Sequence, residues 1–184
     1  MITIKLVSDE VELEGIKQLQ VLNLHQNVTQ SDALLEGYLS AEYSLSFLTE
    51  MHHAHPSIIA KHGDKVIGYA LVSLKSIRQN HALLTELFDS IDQVSFNGDS
   101  LKNANYVVVG QLCVAKDFRG IGISRLLYNY FKENLSSKFQ YCITDVATNN
   151  LRSLNAHLSI GFIVITSQVY GGINWNVVLW DWNK

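Results

Sequence analysis

The chain opens with apolar and polar residues in alternation, Ile2, Ile4 and Leu6 against Thr3 and Lys5, and that period of two predicts a half-buried strand over residues 2–7. The period then lengthens. Val11, Leu13, Ile16, Leu19, Val21 and Leu24 recur at three to four behind the capping candidates Ser8-Asp9-Glu10, which predicts a helix. A second helical stretch is expected over residues 31–53, with Leu34, Leu35, Tyr38, Leu39, Tyr43, Leu45, Phe47 and Leu48 on one side, a break near Ser40 and an end before Pro56. Residues 57–61 and 65–75 read as antiparallel strands joined by His62-Gly63-Asp64. Residues 76–105 interrupt this rhythm with a short helix around Leu83 to Val94 and the turn-rich Asn97-Gly98-Asp99-Ser100, so they read as an insertion over one face. Residues 106–115 are almost continuously apolar, the pattern of a central strand covered on both faces. A glycine loop and a helix carrying Leu126, Leu127, Tyr130 and Phe131 follow it. The pattern ends with a strand at 141–147, a helix at 150–159, and strands at 162–170 and 173–182 around Gly171-Gly172. The class is mixed α/β.

Composition narrows the picture. The 184 residues, 47% of them hydrophobic, suit one domain with a sizeable core spanning residues 1–184. A formal net charge of -3 lacks the basic surplus of a protein that tracks phosphate backbones, so no nucleic-acid partner is expected. Cys113 and Cys142 both lie in apolar, β-rich stretches, unlike a secreted disulfide framework. With no leader-like or membrane-spanning run, the expectation is a soluble cytoplasmic protein without a membrane partner.

The chemistry concentrates after residue 111. A strand, a glycine loop and a helix in direct succession gather unpaired backbone N–H groups and a helix N-terminus around one point, which favours an anion. Gly120 and Gly122 permit close backbone approach to a phosphate, and Arg125 adds charge. A Gly-x-Gly turn also starts many helices that bind nothing. Residues 114–124, with Arg119, Gly120, Ile121, Gly122, Ile123 and Ser124, resemble the acyl-coenzyme A binding signature of the GNAT superfamily of N-acetyltransferases: Arg or Gln, two residues, Gly, one residue, Gly or Ala. Ser124 departs at the last position and is still small. About thirty residues on, Asn150, Ser153, His157 and Gly161-Phe162 resemble the family's second signature.

The resemblance covers essentially the whole chain and implies a GNAT-like fold: a mostly antiparallel central sheet flanked by helices, splayed between the family's fourth and fifth strands. It implies direct transfer of an acetyl group from the co-substrate acetyl-coenzyme A to a primary amine of a small molecule or a peptide N-terminus. Loop N–H groups from Arg119 to Ser124 would cradle the pyrophosphate, Leu112, Cys113 and Val114 would pair with the pantetheine arm, and the Val114 N–H would polarise the thioester carbonyl. Asn150 and Ser153 would lie near the thiol end. A homodimer is compatible with this reading, and a non-catalytic acyl-coenzyme A binding domain of the same fold is its alternative.

Acid and base candidates complete the reading. Many family members carry a tyrosine acid at the eighth position of the second motif, where this chain has His157. A neutral imidazole cannot donate as a phenol does, whereas an imidazolium can; a histidine hydrogen-bonded to backbone is the structural alternative. The histone-type glutamate of the fourth strand is missing, but Asp145 stands twelve residues before His157, where ribosomal-protein N-terminal acetyltransferases carry a glutamate. An aspartate in that apolar strand is expected to show a raised pKa, or to pair with Arg152 or a backbone N–H. Met51-His52-His53-Ala54-His55 lacks helical metal-pair spacing, so a solvated helix end and no metal are expected. Cys113 reads as a buried thiol with a nucleophilic alternative, and Trp175, Trp180 and Trp182 as one aromatic sheet face, either core or pocket wall.

Overall fold

The computed structural model describes residues 1–183, the side chain of Leu34 excepted. Among these the chain runs β1 (Ile2–Leu6), α1 (Glu10–Asn23), α2 (Gln30–Glu36), α3 (Leu45–Ala54), β2 (Ile58–His62), β3 (Lys65–Ser73) and α4 (Ala82–Asp92). The two-residue strands β4 (Ser95–Phe96) and β5 (Asp99–Ser100) precede β6 (Tyr106–Val114), α5 (Ile123–Leu135), β7 (Tyr141–Ala147), α6 (Leu151–Ile160), β8 (Ile163–Tyr170) and β9 (Ile173–Asp181). Side-chain oxygens set four helix starts: Asp9 accepts from the Glu12 N–H, Thr29 from Asp32, Ser44 from Phe47 and Asn150 from Ser153. The single helix expected over 31–53 is therefore two, because α2 stops at Glu36 and Ser44 opens a new one. Residues 37–44 between them are non-helical, a wider break than one at Ser40. Leu35 is consequently exposed rather than on a shared apolar face, and the expected burial of Leu34 falls on a side chain outside the described residues.

Seven strands form one sheet in the order β1-β2-β3-β6-β7-β9-β8, antiparallel throughout except for the parallel pair β6·β7. The strand expected at the centre, β6, is the fourth of seven. One core packs α1, α3 and α4 against a face that includes Tyr69, Val108, Ile143 and Val177; the other packs α5 against Ala70, Val107, Cys142 and Val178. Strand alternation puts Trp180 and Trp182 with the α5 core and Trp175 on the opposite face, stacked on Tyr170. The three tryptophans thus do not share the face expected of them, since 175 is odd and the other two are even. Segment 76–105 supplies α4 and a small β4·β5 ribbon beside the α1 face.

Gly110 interrupts β6. Leu71 pairs with Gln111 and Val72 with Val109, so Gly110 is an extra residue that shifts the register. A Cβ here would lie 2.3 Å from the Ser73 Oγ, which explains the glycine. The bulge also inverts facing: Tyr106 and Val108 point to the α1 core, and after it Cys113 does so while Val114 faces α5. On the other side β6 pairs with β7 only from Tyr106–Tyr141 to Val108–Ile143, after which the two strands part.

Glu12 anchors the start of the fold. Its carboxylate is 3% exposed, accepts from Lys5 Nζ at 2.7 Å, Lys61 Nζ at 3.0 Å and the Ser8 N–H at 2.9 Å, and ties α1 to β1 and β2. Burial opposes ionisation, yet these donors together hold its pKa down to about 2. A lowered folded pKa stabilises above the ordinary carboxylate value and loses that contribution as pH falls through the folded one. Glu12→Gln is expected to cost roughly 1–3 kcal/mol at pH 7, with the deficit shrinking between pH 4.5 and 2; urea unfolding at both ends of that window measures it.

Candidate functional site

Where β6 and β7 part, two cavities meet. The larger, of about 520 Å³, runs from the Leu112–Val114 end of β6 past Arg119, Gly120, Gly122 and Ser124 to one side of α6. The smaller, of about 80 Å³, lies between the strands and holds Asp145 and His157. Tyr38, Leu39, Leu112 and Ser153 line both, so the two form one continuous cleft.

The larger cavity is built by the glycine loop. Gly122 is the N-cap of α5 at φ 89°, a left-handed conformation that L side chains rarely adopt, and it has no side chain to occupy the N–H groups of the first turn. The open space beside Gly120 and Gly122 and the exposed helix N-terminus make a cradle suited to a phosphate. Arg125 and Ser124 stand at this cradle, and Arg125 donates to the Ser159 carbonyl at 2.7 Å. Ile123 lines the cavity from its place in the α5 core, and Ile121 is exposed and outside the cavity wall. Cys113 reaches the cavity while its thiol packs on the α1 side, where burial pushes its pKa up to about 12; this is the inert buried thiol, not a poised nucleophile.

Arg119 lines the cavity but spends its guanidinium elsewhere. It donates to the Val114 carbonyl at 2.9 Å, to the Glu36 carbonyl at 3.1 Å and to the Asn23 side chain, with the Glu36 carboxylate at 3.5 Å. These bonds strap the ends of α1 and α2 to the end of β6. Asn150 plays a related part: its Oδ1 caps α6 through the Ser153 N–H, and its Nδ2 donates to the Tyr38 carbonyl at 3.0 Å. It lines the smaller cavity only, and Ser153 lines both.

The backbone of β6 offers hydrogen-bonding groups to the gap. Ala115 donates its N–H to Ile67 of β3, and the Val114 carbonyl points away toward Arg119. By strand alternation the N–H groups of Val114 and Leu112 also face away from β3, with no β7 pairing at that level. Leu112 is the one of the two that lines both cavities.

Asp145 sits in the smaller cavity, where the partial exposure it retains is exposure to the cavity itself. It accepts a hydrogen bond from the Tyr170 hydroxyl, not from Arg152. Desolvation raises its pKa to about 6, with the Tyr170 bond pulling the other way; burial first and the Asp145 charge second push the Tyr43 and Tyr170 hydroxyls upward. His157 is 3% exposed, and burial lowers its pKa to about 4. Its Nδ1 lies 2.7 Å from the Ser153 carbonyl, which can only accept, so Nδ1 carries the hydrogen and Nε2 is left as an acceptor. At neutral pH this residue is a neutral imidazole, not the imidazolium that an acid role requires. The histidines at the end of α3 belong to no metal-binding group among the described residues.

Sequence reasoning missed Tyr170, Gly110, and the Leu83, Leu84 and Leu87 wall that α4 places on the smaller cavity. Gly110 carried a usable signal, an isolated glycine inside an apolar strand. Tyr170 meets Asp145 only through the β7-β9-β8 order, which no local pattern encodes.

A model of the acetyltransferase (GNAT) family matches residues 21–162. No curated protein matches the chain in sequence. Among solved structures, an acetyltransferase of the GNAT family from Streptococcus agalactiae is 15% identical, with a TM-score of 0.69 over 100% of this chain and 96% of its own. The NatC complex bound to Gag peptide and coenzyme A contains a chain 16% identical, with a TM-score of 0.66 and 98% of each chain covered. The ribosomal-protein-S18-alanine N-acetyltransferase from Escherichia coli is 13% identical, with a TM-score of 0.62 over 98% of this chain and 94% of its own. At these identities the likeness is one of fold.

The site's electrostatics are directly testable. Carbon-13 NMR titration of the Asp145 carboxyl is expected to give a midpoint near pH 6. Tyr170→Phe removes a donor that favours the charged form, so the midpoint should move upward; no movement would mean that the hydroxyl does not reach the carboxylate.

Proposed function

Because the chain belongs to the acetyltransferase (GNAT) family, we propose that residues 1–184 form an N-acetyltransferase domain that moves the acetyl group of acetyl-coenzyme A onto a primary amine. The observation that carries this reading is the continuity of the two cavities: an anion cradle at one end, a carboxylate with a pKa of about 6 at the other, and the unpaired edge of β6 between them. The residues present fit the co-substrate. The α5 N-terminus and the Gly120–Gly122 turn would hold its pyrophosphate, and the edge of β6 at Leu112 and Val114 would pair with its pantetheine amides. The similar NatC complex is bound to a Gag peptide and the similar Escherichia coli enzyme is a ribosomal-protein-S18-alanine N-acetyltransferase, which supports a peptide N-terminus or a small amine as acceptor here.

Acetyl-coenzyme A supplies a thioester, whose C–S bond breaks as the acyl carbon bonds to the amine nitrogen, giving an amide and free coenzyme A. The Leu112 N–H, fixed before the reaction, donates to the carbonyl oxygen as charge develops there, a role that passes from Val114 to Leu112 because Leu112, unlike Val114, lines both cavities. An amine arrives as ammonium and must become neutral before it can attack. Asp145 accepts that first proton, directly or through one water, and returns it to solvent. The second proton lost by nitrogen ends on sulfur, which leaves as an ordinary thiol with a pKa near 8.5 and so does not need a strong acid. His157, held neutral, offers Nε2 as a hydrogen-bond acceptor in the acceptor pocket. The Asp145–Tyr170 pair favours turnover over cofactor sensing alone, since a sensing domain has no use for a base at the far end of the cleft.

Asp145→Asn is expected to lower turnover by at least about a hundredfold with coenzyme A affinity unchanged, and His157→Phe to act more mildly. The wild-type kcat/KM should rise with pH through about 6 as Asp145 ionises, and the Asn variant should lose that limb. Thiol release with an amine panel measures both; equal turnover in Asp145→Asn and wild type would sink the assignment.

A further inference from the structure

We infer that the acceptor is a primary amine next to a compact apolar substituent, and that helix α4 of segment 76–105 reads that substituent. This rests on the transferase reading above and deepens it. In the smaller cavity α4 contributes Leu83, Leu84 and Leu87, which stand with Leu39, Tyr43 and Trp175 around the space beside Asp145. Among the described residues Asp145 is the only charged side chain lining it, and no lysine or arginine does. A carboxylate placed on the acceptor would meet this negative charge and an apolar wall with no cation to pair with, at a desolvation cost that an aliphatic group avoids.

Size sets the second limit. A volume of about 80 Å³ is room for a few waters, each of which needs about 10–15 Å³ of such space, so the substituent that enters beside Asp145 is compact. The wall is held in place from two sides. Leu83 lies where a Cβ on Gly171 would approach it to 3.0 Å, so α4 rests on the β8–β9 turn, and Gln168 of β8 donates to the Ser90 carbonyl of α4 at 3.4 Å. Tyr43 is fixed by donating its hydroxyl to the Gly110 carbonyl at 3.0 Å, the bulge residue itself. Trp175 is fixed by stacking on Tyr170 and donating to its carbonyl at 3.1 Å.

The test is thiol release from acetyl-coenzyme A by the full chain with four acceptors. Isobutylamine and a tripeptide beginning with Val carry the apolar group; β-alanine and a tripeptide beginning with Asp carry a carboxylate instead. The apolar pair is expected to exceed the acidic pair in kcat/KM by at least about tenfold, the discrimination that even one methylene gives in such pockets; the amine and peptide arms decide which source of the group is used. Leu83→Lys is expected to narrow the gap by raising the acidic acceptors, and Leu83→Ala, a milder change at a half-buried position, to lower the apolar ones without that rise. Equal kcat/KM for apolar and acidic acceptors would overturn the inference while leaving transfer intact. Binding of acetyl-coenzyme A with no thiol release from any of the four would overturn the transfer reading and this inference with it.

Discussion

Strands β6 and β7 lie side by side for three residues and then part, and the chemistry of this molecule is arranged around that gap. A parallel pair in mid-sheet would ordinarily continue to hydrogen-bond, since unpaired buried backbone groups are costly. Here the Gly110 bulge turns the second half of β6 so that its β3 pairing resumes at Gln111 while its other edge stays open. Thr144 crosses the start of the gap by donating its hydroxyl to the Val109 carbonyl at 2.7 Å, and beyond it the free edge faces a cavity.

The surroundings keep the gap in shape. Gln111, just after the bulge, accepts from Tyr69 at 2.6 Å and Gln20 at 2.9 Å and donates to the Ala41 carbonyl at 2.8 Å, a buried polar network that fastens residues 38–43 beside the cleft. Arg119 fastens the preceding helices to the end of the same strand. Residues 37–44, the non-helical break between α2 and α3, are thereby the common wall of both cavities: Tyr38 and Leu39 face the two at once. The glycine loop and Asp145 are brought to opposite ends of one cleft by these ties and by the sheet order.

Much of this was legible in the order of residues. The apolar alternation located the strands, the near-continuous run of 106–115 marked the central one, and Arg119, Gly122, Asn150 and Gly161 carried the family resemblance. Asp145 was legible as a carboxylate in an apolar strand, and its raised pKa follows from that placement. The rest depended on long-range pairing. Whether Trp175 faced core or cleft turned on strand parity, and Tyr170 reaches Asp145 only because β9 separates β8 from β7. His157 looked able to carry a charge until its burial and its bond to Ser153 fixed it as neutral. Segment 76–105 read as an insertion, yet its leucines close the Asp145 end of the cleft, because packing against the β8–β9 turn cannot be read from a helical period.

Calorimetric titration of the purified chain with acetyl-coenzyme A tests the central claim, that the parted strands and the glycine loop make one site for that molecule. One-to-one binding in the micromolar range, about -8 kcal/mol, is expected, with the same stoichiometry for coenzyme A alone, which carries the same pyrophosphate. No heat and no binding up to millimolar concentration, about -4 kcal/mol, would contradict it.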